Sequence, residues 1–367
     1  MTRSTYAAVL CVLMVLLGAL AAGCGGDDDG EQSAEPGGAA GIEEAEILLS
    51  FPESIAWAPL LVAREQGYFE DEGLSVETQE TEGSGFVTQQ VIAGNGDFGW
   101  AGADSIIIAA SKEPRIRAVM CNQEQNIFRI VVPEGSPIQS VDDLAGRTLG
   151  FTERGGGEEP LVRSSLADAG ITDEVELLPI GAAGPQSQQA IQSGQVDAYA
   201  SSYPDISSLT AEGLSFTDIT PDKFSATPGD CLVALSETLQ DPAKAEVAAK
   251  LGRAWTKGAV FATANQEAAL DASCKAVPEE CENMEFATAF LADTVTLLQP
   301  VDESMPLGSL NPDGWQTTAD VLLETESIDQ EVDVDQLIAS PEVTAIQEKI
   351  LDFDQAAVEQ EAEGAGP

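Results

Sequence analysis

Gln89-Gln90-Val91-Ile92-Ala93-Gly94-Asn95-Gly96-Asp97-Phe98-Gly99-Trp100-Ala101 has a counterpart in Gln188-Gln189-Ala190-Ile191-Gln192-Ser193-Gly194-Gln195-Val196-Asp197-Ala198-Tyr199-Ala200. Each stretch reads as the end of a helix, a glycine that closes it, an aspartate three residues on, and an apolar strand running into a loop. A unit used twice predicts two similar α/β lobes. Open α/β sheets bind ligands beyond the carboxyl ends of their strands, so two such lobes facing one another make a cleft.

Outward from these units the alternation continues. Residues 47–49, 74–77, 97–101, 116–120 and 128–132 read as strands, and Pro59 opens a helix that Gly67 closes. A second series follows strand 148–151: helix 160–169, strand 175–178, helix 186–193 and strand 196–200. Strands alternating with short helices give largely parallel sheets covered on both faces. From Pro242 onward helical patterns dominate, and Ser340-Pro341 opens a long amphipathic final helix.

The chain has 367 residues, enough for two domains with a core each. Its 63 acidic against 16 basic side chains leave a net charge of −47. That balance argues against nucleic acid as a partner, because phosphate contacts need clustered Lys and Arg. With no histidine, a Ser-His-Asp or Cys-His relay and an imidazole-ligated zinc site are excluded. No metal or cofactor is expected.

Arg3 is the only charge before Asp27, and residues 6–22 form an apolar run that ends in Leu20-Ala21-Ala22-Gly23-Cys24. A basic start, a short apolar core and small residues before a cut describe a secretory signal peptide over 1–23. The cysteine in this place resembles the lipobox of bacterial lipoproteins, which implies acylation of Cys24, although Leu20 stands one position further from it than is usual. Residues 24–43, rich in glycine and acidic residues, read as a flexible tether. Export agrees with the four remaining cysteines, Cys121, Cys231, Cys274 and Cys281, as two disulfides, for which sequence alone allows three pairings. Cys274 and Cys281 lie close enough around Pro278 to pair locally, which leaves Cys121 for Cys231 and makes that bridge dependent on the fold.

Gly67-Tyr68-Phe69-Glu70-Asp71-Glu72-Gly73-Leu74-Ser75-Val76 resembles a signature of solute-binding proteins for nitrate, taurine, alkanesulfonates and thiamine pyrimidine precursors. Further matches follow in the family's order: Ala93-Gly94 with Asp97-Phe98, then Ser136-Pro137-Ile138 with Asp143-Leu144 and Gly146-Arg147, then Ser193-Gly194-Gln195-Val196-Asp197-Ala198. The resemblance implies the type II periplasmic-binding-protein fold: two α/β lobes around a ligand cleft, joined by hinge crossings near 133–140 and 227–231. Lobe one is then 44–135 with 229–355, lobe two is 136–228, and 356–367 is a tail. It also implies a monomeric receptor, not an enzyme, lipid-anchored to the outer face of the bacterial cell membrane. Such a receptor hands a small molecule to an ABC transporter permease. A secreted enzyme on the same fold, or an accessory that presents ligand to a sensor, is the alternative.

In the resembling family the site lies on loops that follow strands. The first such loop carries Phe51, Glu53 and Trp57: the two rings could sandwich a flat ligand and the carboxylate could accept from an amine. The second carries Trp100 and Asp104, the latter also a helix-capping type. A polar run contributes Asn122, though a hairpin turn explains that run equally well. The loop holding Thr152, Arg154 and Gly156 offers backbone N–H groups to an anion, against the charge of its own glutamates. The resemblance also implies that Tyr203 faces the cleft from lobe two. So many carboxylates point to a neutral or amine-bearing organic molecule, of which a heterocycle related to thiamine precursors is one case.

Overall fold

A computed structural model describes residues 42–81, 83–152, 154, 157–302 and 304–366. The signal segment and Cys24 lie outside the described residues, as does the tether through Gly41. Among the described residues ten strands form two five-stranded sheets. The first contains β1 (Glu43–Leu49), β2 (Leu74–Glu80), β3 (Phe98–Gly102), β4 (Ile116–Cys121) and, late in the chain, β10 (Asp230–Leu235). The second contains β5 (Phe128–Pro133), β6 (Thr148–Phe151), β7 (Glu176–Pro179), β8 (Ala198–Ser202) and β9 (Phe216–Asp218).

Strand order is β2-β1-β3-β10-β4 in one sheet and β7-β6-β8-β5-β9 in the other. Each has three parallel strands followed by two antiparallel joins, β10 to β3 and β4, β5 to β8 and β9. The sequence echo is the shared step of this plan. Gly94 and Gly194, at φ 74° and 68°, end their helices in the left-handed region and release the chain into β3 and β8. The second copy of the aspartate locks the step: the Asp197 carboxylate accepts from the Thr148 N–H at 3.0 Å, holding β8 beside β6.

The outgoing crossing differs from the sequence expectation. β5 pairs with β8 and β9 and so belongs to the second sheet, which places the crossing at 122–127 rather than 133–140. The polar run after Cys121 is therefore an interlobe connection, not a hairpin turn. It lies against the return crossing: Gly229 N–H donates to Gln123 O at 3.0 Å, Asn122 N–H to Asp230 O at 2.9 Å, and Asn126 Nδ2 to Thr227 Oγ1 at 2.8 Å. The return, expected near 227–231, enters β10 at Asp230.

The C-terminal helices do more than cover lobe one. The helix Met284–Leu298 meets the lobe-two helix Tyr203–Ala211, where Ser207 Oγ donates to Asp293. The helix Pro312–Glu324 places Val321 in the lobe-two core and Glu324 3.1 Å from Ser164 Oγ. The expected single final helix is two, Pro341–Ile350 and Gln355–Gly364, because Asp354 caps a fresh start by accepting from Ala357 N–H. Residues 356–367, expected as a tail, fall largely in the second of these, whose Val358 and Ala362 stripe is buried against the long helix Pro242–Ala264.

That long helix is the spine of lobe one. Asp241 caps its N-terminus and Pro242 opens it. A stripe of small residues lets it approach the helix Ala58–Glu65 so closely that a Cβ on Gly258 would stand 2.0 Å from the Pro59 carbonyl oxygen. Because backbone cannot yield as a side chain does, Gly258→Ala should cost about 3 kcal/mol, at the upper end of overpacking. Urea unfolding checks this, and an unchanged midpoint would show that the two helices do not touch there.

Candidate functional site

The cleft is assembled by strand ends. β3 stops at Gly102 and the helix Ala103–Ala110 begins at once, so the return crossing can reach it: Ala103 N–H donates to Gly229 O at 2.9 Å. Ser84, at the start of the helix Ser84–Ala93, accepts from Gly102 N–H at 3.0 Å. Around this junction lies a cavity of about 640 Å³, within the range of small-molecule sites. Ser84, Asp104 and Asp230 line it from lobe one, and Gly157, Pro160 and Arg163 from lobe two. Phe128, just past the outgoing crossing, lies in its wall, and a Cβ on Gly157 would come within 2.4 Å of the Phe128 ring. Glycine is thus what lets the backbone lie flat on that ring.

Carboxylates set the electrostatics. Asp230 is 4% exposed, and burial followed by repulsion from Asp104 pushes its carboxyl up to about 7. Burial likewise raises Asp104, although Ser105 N–H donates to it at 2.6 Å. A second cavity of about 330 Å³ in lobe two is lined by Thr152, Glu158, Ser202 and Asp205. Its two acids are already satisfied: Glu158 accepts from Thr152 N–H at 2.9 Å and from the Thr152 hydroxyl, and Asp205 from Ala183 N–H at 2.8 Å and the Ser201 hydroxyl at 2.5 Å. Of the nearby cations, Arg163 is paired with Glu159, and Arg129 with Asp218.

Of the residues singled out in the sequence, Asp104 and Thr152 lie on these cavities. Phe51 and Trp57 stack on each other, ring centroids 4.4 Å apart, which leaves no width for a ligand between them. Trp57 and Trp100 are both 0% exposed and meet Trp255 at 6.0 and 4.3 Å, so the three indoles are core of lobe one. Glu53 is engaged by Arg64 at 2.9 Å and Thr78 at 2.7 Å; burial opposes its ionisation, but those bonds hold its carboxyl below the usual range. Asn122 is buried and accepts from Trp255 Nε1 at 2.8 Å, which ties the crossing to the core. Arg129 Nε donates to the Tyr203 hydroxyl at 3.1 Å with the guanidinium over the ring. Arg154 is exposed, and Gly156 lies outside the described residues.

Sequence reasoning missed Asp230, Ser84, Phe128 and Asp205. Asp230 alone left a signal, an acid opening an otherwise apolar run, Asp230-Cys231-Leu232-Val233-Ala234-Leu235.

The family model described as NMT1/THI5 like matches residues 54–269. The formylaminopyrimidine-binding protein of Halalkalibacterium halodurans is 25% identical over 232 residues, 63% of this chain and 69% of that protein. The riboflavin-binding protein RibY of Chloroflexus aurantiacus is 22% identical over 322 residues, 80% of this chain and 84% of that one. Among solved structures, the periplasmic aliphatic sulphonate binding protein SsuA from Escherichia coli superposes with a TM-score of 0.61 at 18% identity, covering 80% of this chain and 91% of that one. The architecture of two α/β lobes is thus that of the periplasmic binding proteins, and with more than half of its length matched the chain belongs to the NMT1/THI5-like family.

Proposed function

We propose that the protein is an extracytoplasmic receptor that captures a small organic molecule between its lobes and delivers it to an ABC importer. The observation that carries this reading is the cavity of about 640 Å³, because strand ends of both lobes build it and both crossings run beside it. Enclosure by two lobes on paired hinges is the geometry of a closing receptor. The relatives named for riboflavin and formylaminopyrimidine support a ring-bearing ligand. Chemistry on the ligand is disfavoured: the chain has no histidine, and its four described cysteines lie in two close pairs. Incubating the purified protein with a small-molecule extract and identifying what co-purifies tests this. Recovery of one compound unchanged supports a receptor; its conversion to a product would favour an enzyme.

We further propose that Cys24 is the lipidated anchor, since it follows an apolar run and stands directly after the small residues Ala21-Ala22-Gly23, which supply a processing site. Cys24→Ser should release the protein from the membrane fraction or block its maturation. An unchanged membrane fraction on immunoblot would leave the apolar run itself as the anchor. The oxidising compartment implied by export suits disulfides at Cys121–Cys231, neighbours across β4 and β10, and at Cys274–Cys281.

A further inference from the structure

Resting on the receptor reading, we propose that the cleft selects an organic cation bearing N–H donors, a protonated amine or amidinium, whose charge sits between Asp104 and Asp230. Asp230 is the decisive group. It is buried, it lines the cavity, and its carboxylate has neither a hydrogen-bond donor nor a basic partner among the described residues. A buried carboxylate in that condition is costly, and native proteins rarely leave one so. Asp104 has a partial local explanation, since it is a first-turn acid on the helix Ala103–Ala110. Asp230 opens a strand and has none. Among the described residues the one cation on the same cavity, Arg163, is held by Glu159 and so does not neutralise the pair.

The rest of the lining says the cation is organic. Phe128, Pro160 and Leu322 give the cavity apolar walls, and its volume far exceeds that of a bare metal ion. Among the described residues no group of three or more acids or cysteines is disposed to hold a metal. Phe128, backed by Gly157, supplies an aromatic surface for the ligand's body or its charge. A sulfonate or carboxylate would face two acids, and among the described residues no free cation lines the cavity to receive it.

The test is a thermal-shift panel at pH 8 of size-matched probes: tryptamine and benzamidine, their neutral counterparts tryptophol and benzamide, and the acids indole-3-acetate and benzoate, with calcium and zinc chloride alongside. Stabilisation by the cations is expected, with affinities by calorimetry that fall about tenfold or more in Asp104→Asn and in Asp230→Asn. Circular dichroism confirms that both variants fold. The cation's affinity should rise from pH 6 to pH 8 as Asp230 ionises; among the described residues Asp104, Glu159 and Arg163 are the other charged groups on the cavity. Binding of the neutral or acidic probes in place of the cations overturns the charge inference and leaves the receptor reading standing. A response to the metals alone overturns it in favour of an ion site, and binding in no class counts against both readings.

Discussion

Asp230→Asn should make the ligand-free protein more stable at pH 8, by about 2–4 kcal/mol, while leaving stability near pH 4 almost unchanged. The sign follows from where the proton sits. The folded-state pKa of Asp230, about 7, lies above that of an unfolded aspartate, so the native state holds the proton more tightly. The native state therefore loses stability as pH rises from about 4 towards 7, and above that the full penalty stands. The amide cannot ionise and carries no such penalty. Coupling to Asp104 makes the full shift an upper bound. Urea unfolding of both proteins at pH 4 and pH 8 measures the difference. Equal midpoints at pH 8 would mean that the carboxylate is solvated or paired, and the cleft would lose its anionic floor. A functional group that destabilises the empty protein is the expected trade between stability and binding.

Loss of the bridge proposed between Cys121 and Cys231 should cost about 5 kcal/mol in the double alanine variant, and loss of Cys274–Cys281 about 2 kcal/mol, on the chain-entropy model. The difference comes from loop length: 110 residues separate the first pair and 7 the second. The first loop encloses the whole second sheet, so its closure joins β4 at the outgoing crossing to β10 at the return. Denaturant titration of the two variants gives the energies, and non-reducing peptide mapping gives the pairing. Equal losses, or four free thiols in the exported protein, would remove the bridge from the account.

The repeat that opens on Gln89 and Gln188 made the architecture readable because a helix-ending glycine and a strand start are local events. Which sheet a strand joins is not local. β4 and β5 are both apolar runs with a polar stretch between them, and a buried strand carries no mark of its sheet. The outgoing crossing was misplaced for that reason. The second half of the final helical region was likewise hidden, since the alanines and valine among its glutamates acquire meaning only against the Pro242–Ala264 helix.

At the site, Asp104 was legible from its place after a strand, and Thr152 from the same rule. Trp57 and Trp100 obey that rule too, yet their rings turn into the core, where three indoles pack together. Aromatic residues at strand ends have two destinations, and sequence does not separate them. Asp230 was missed for the opposite reason: nothing beside it in sequence explains it, and its significance comes from Asp104, over one hundred positions away.

The central claim, that both lobes close on one small molecule, is tested most directly by hydrogen–deuterium exchange on the protein with and without the compound that co-purifies with it. Slowed exchange is expected at 102–105 and 227–230 in lobe one and at 157–163 in lobe two, together with the crossing at 122–127. Protection confined to a single lobe, or lying away from these segments, would contradict it.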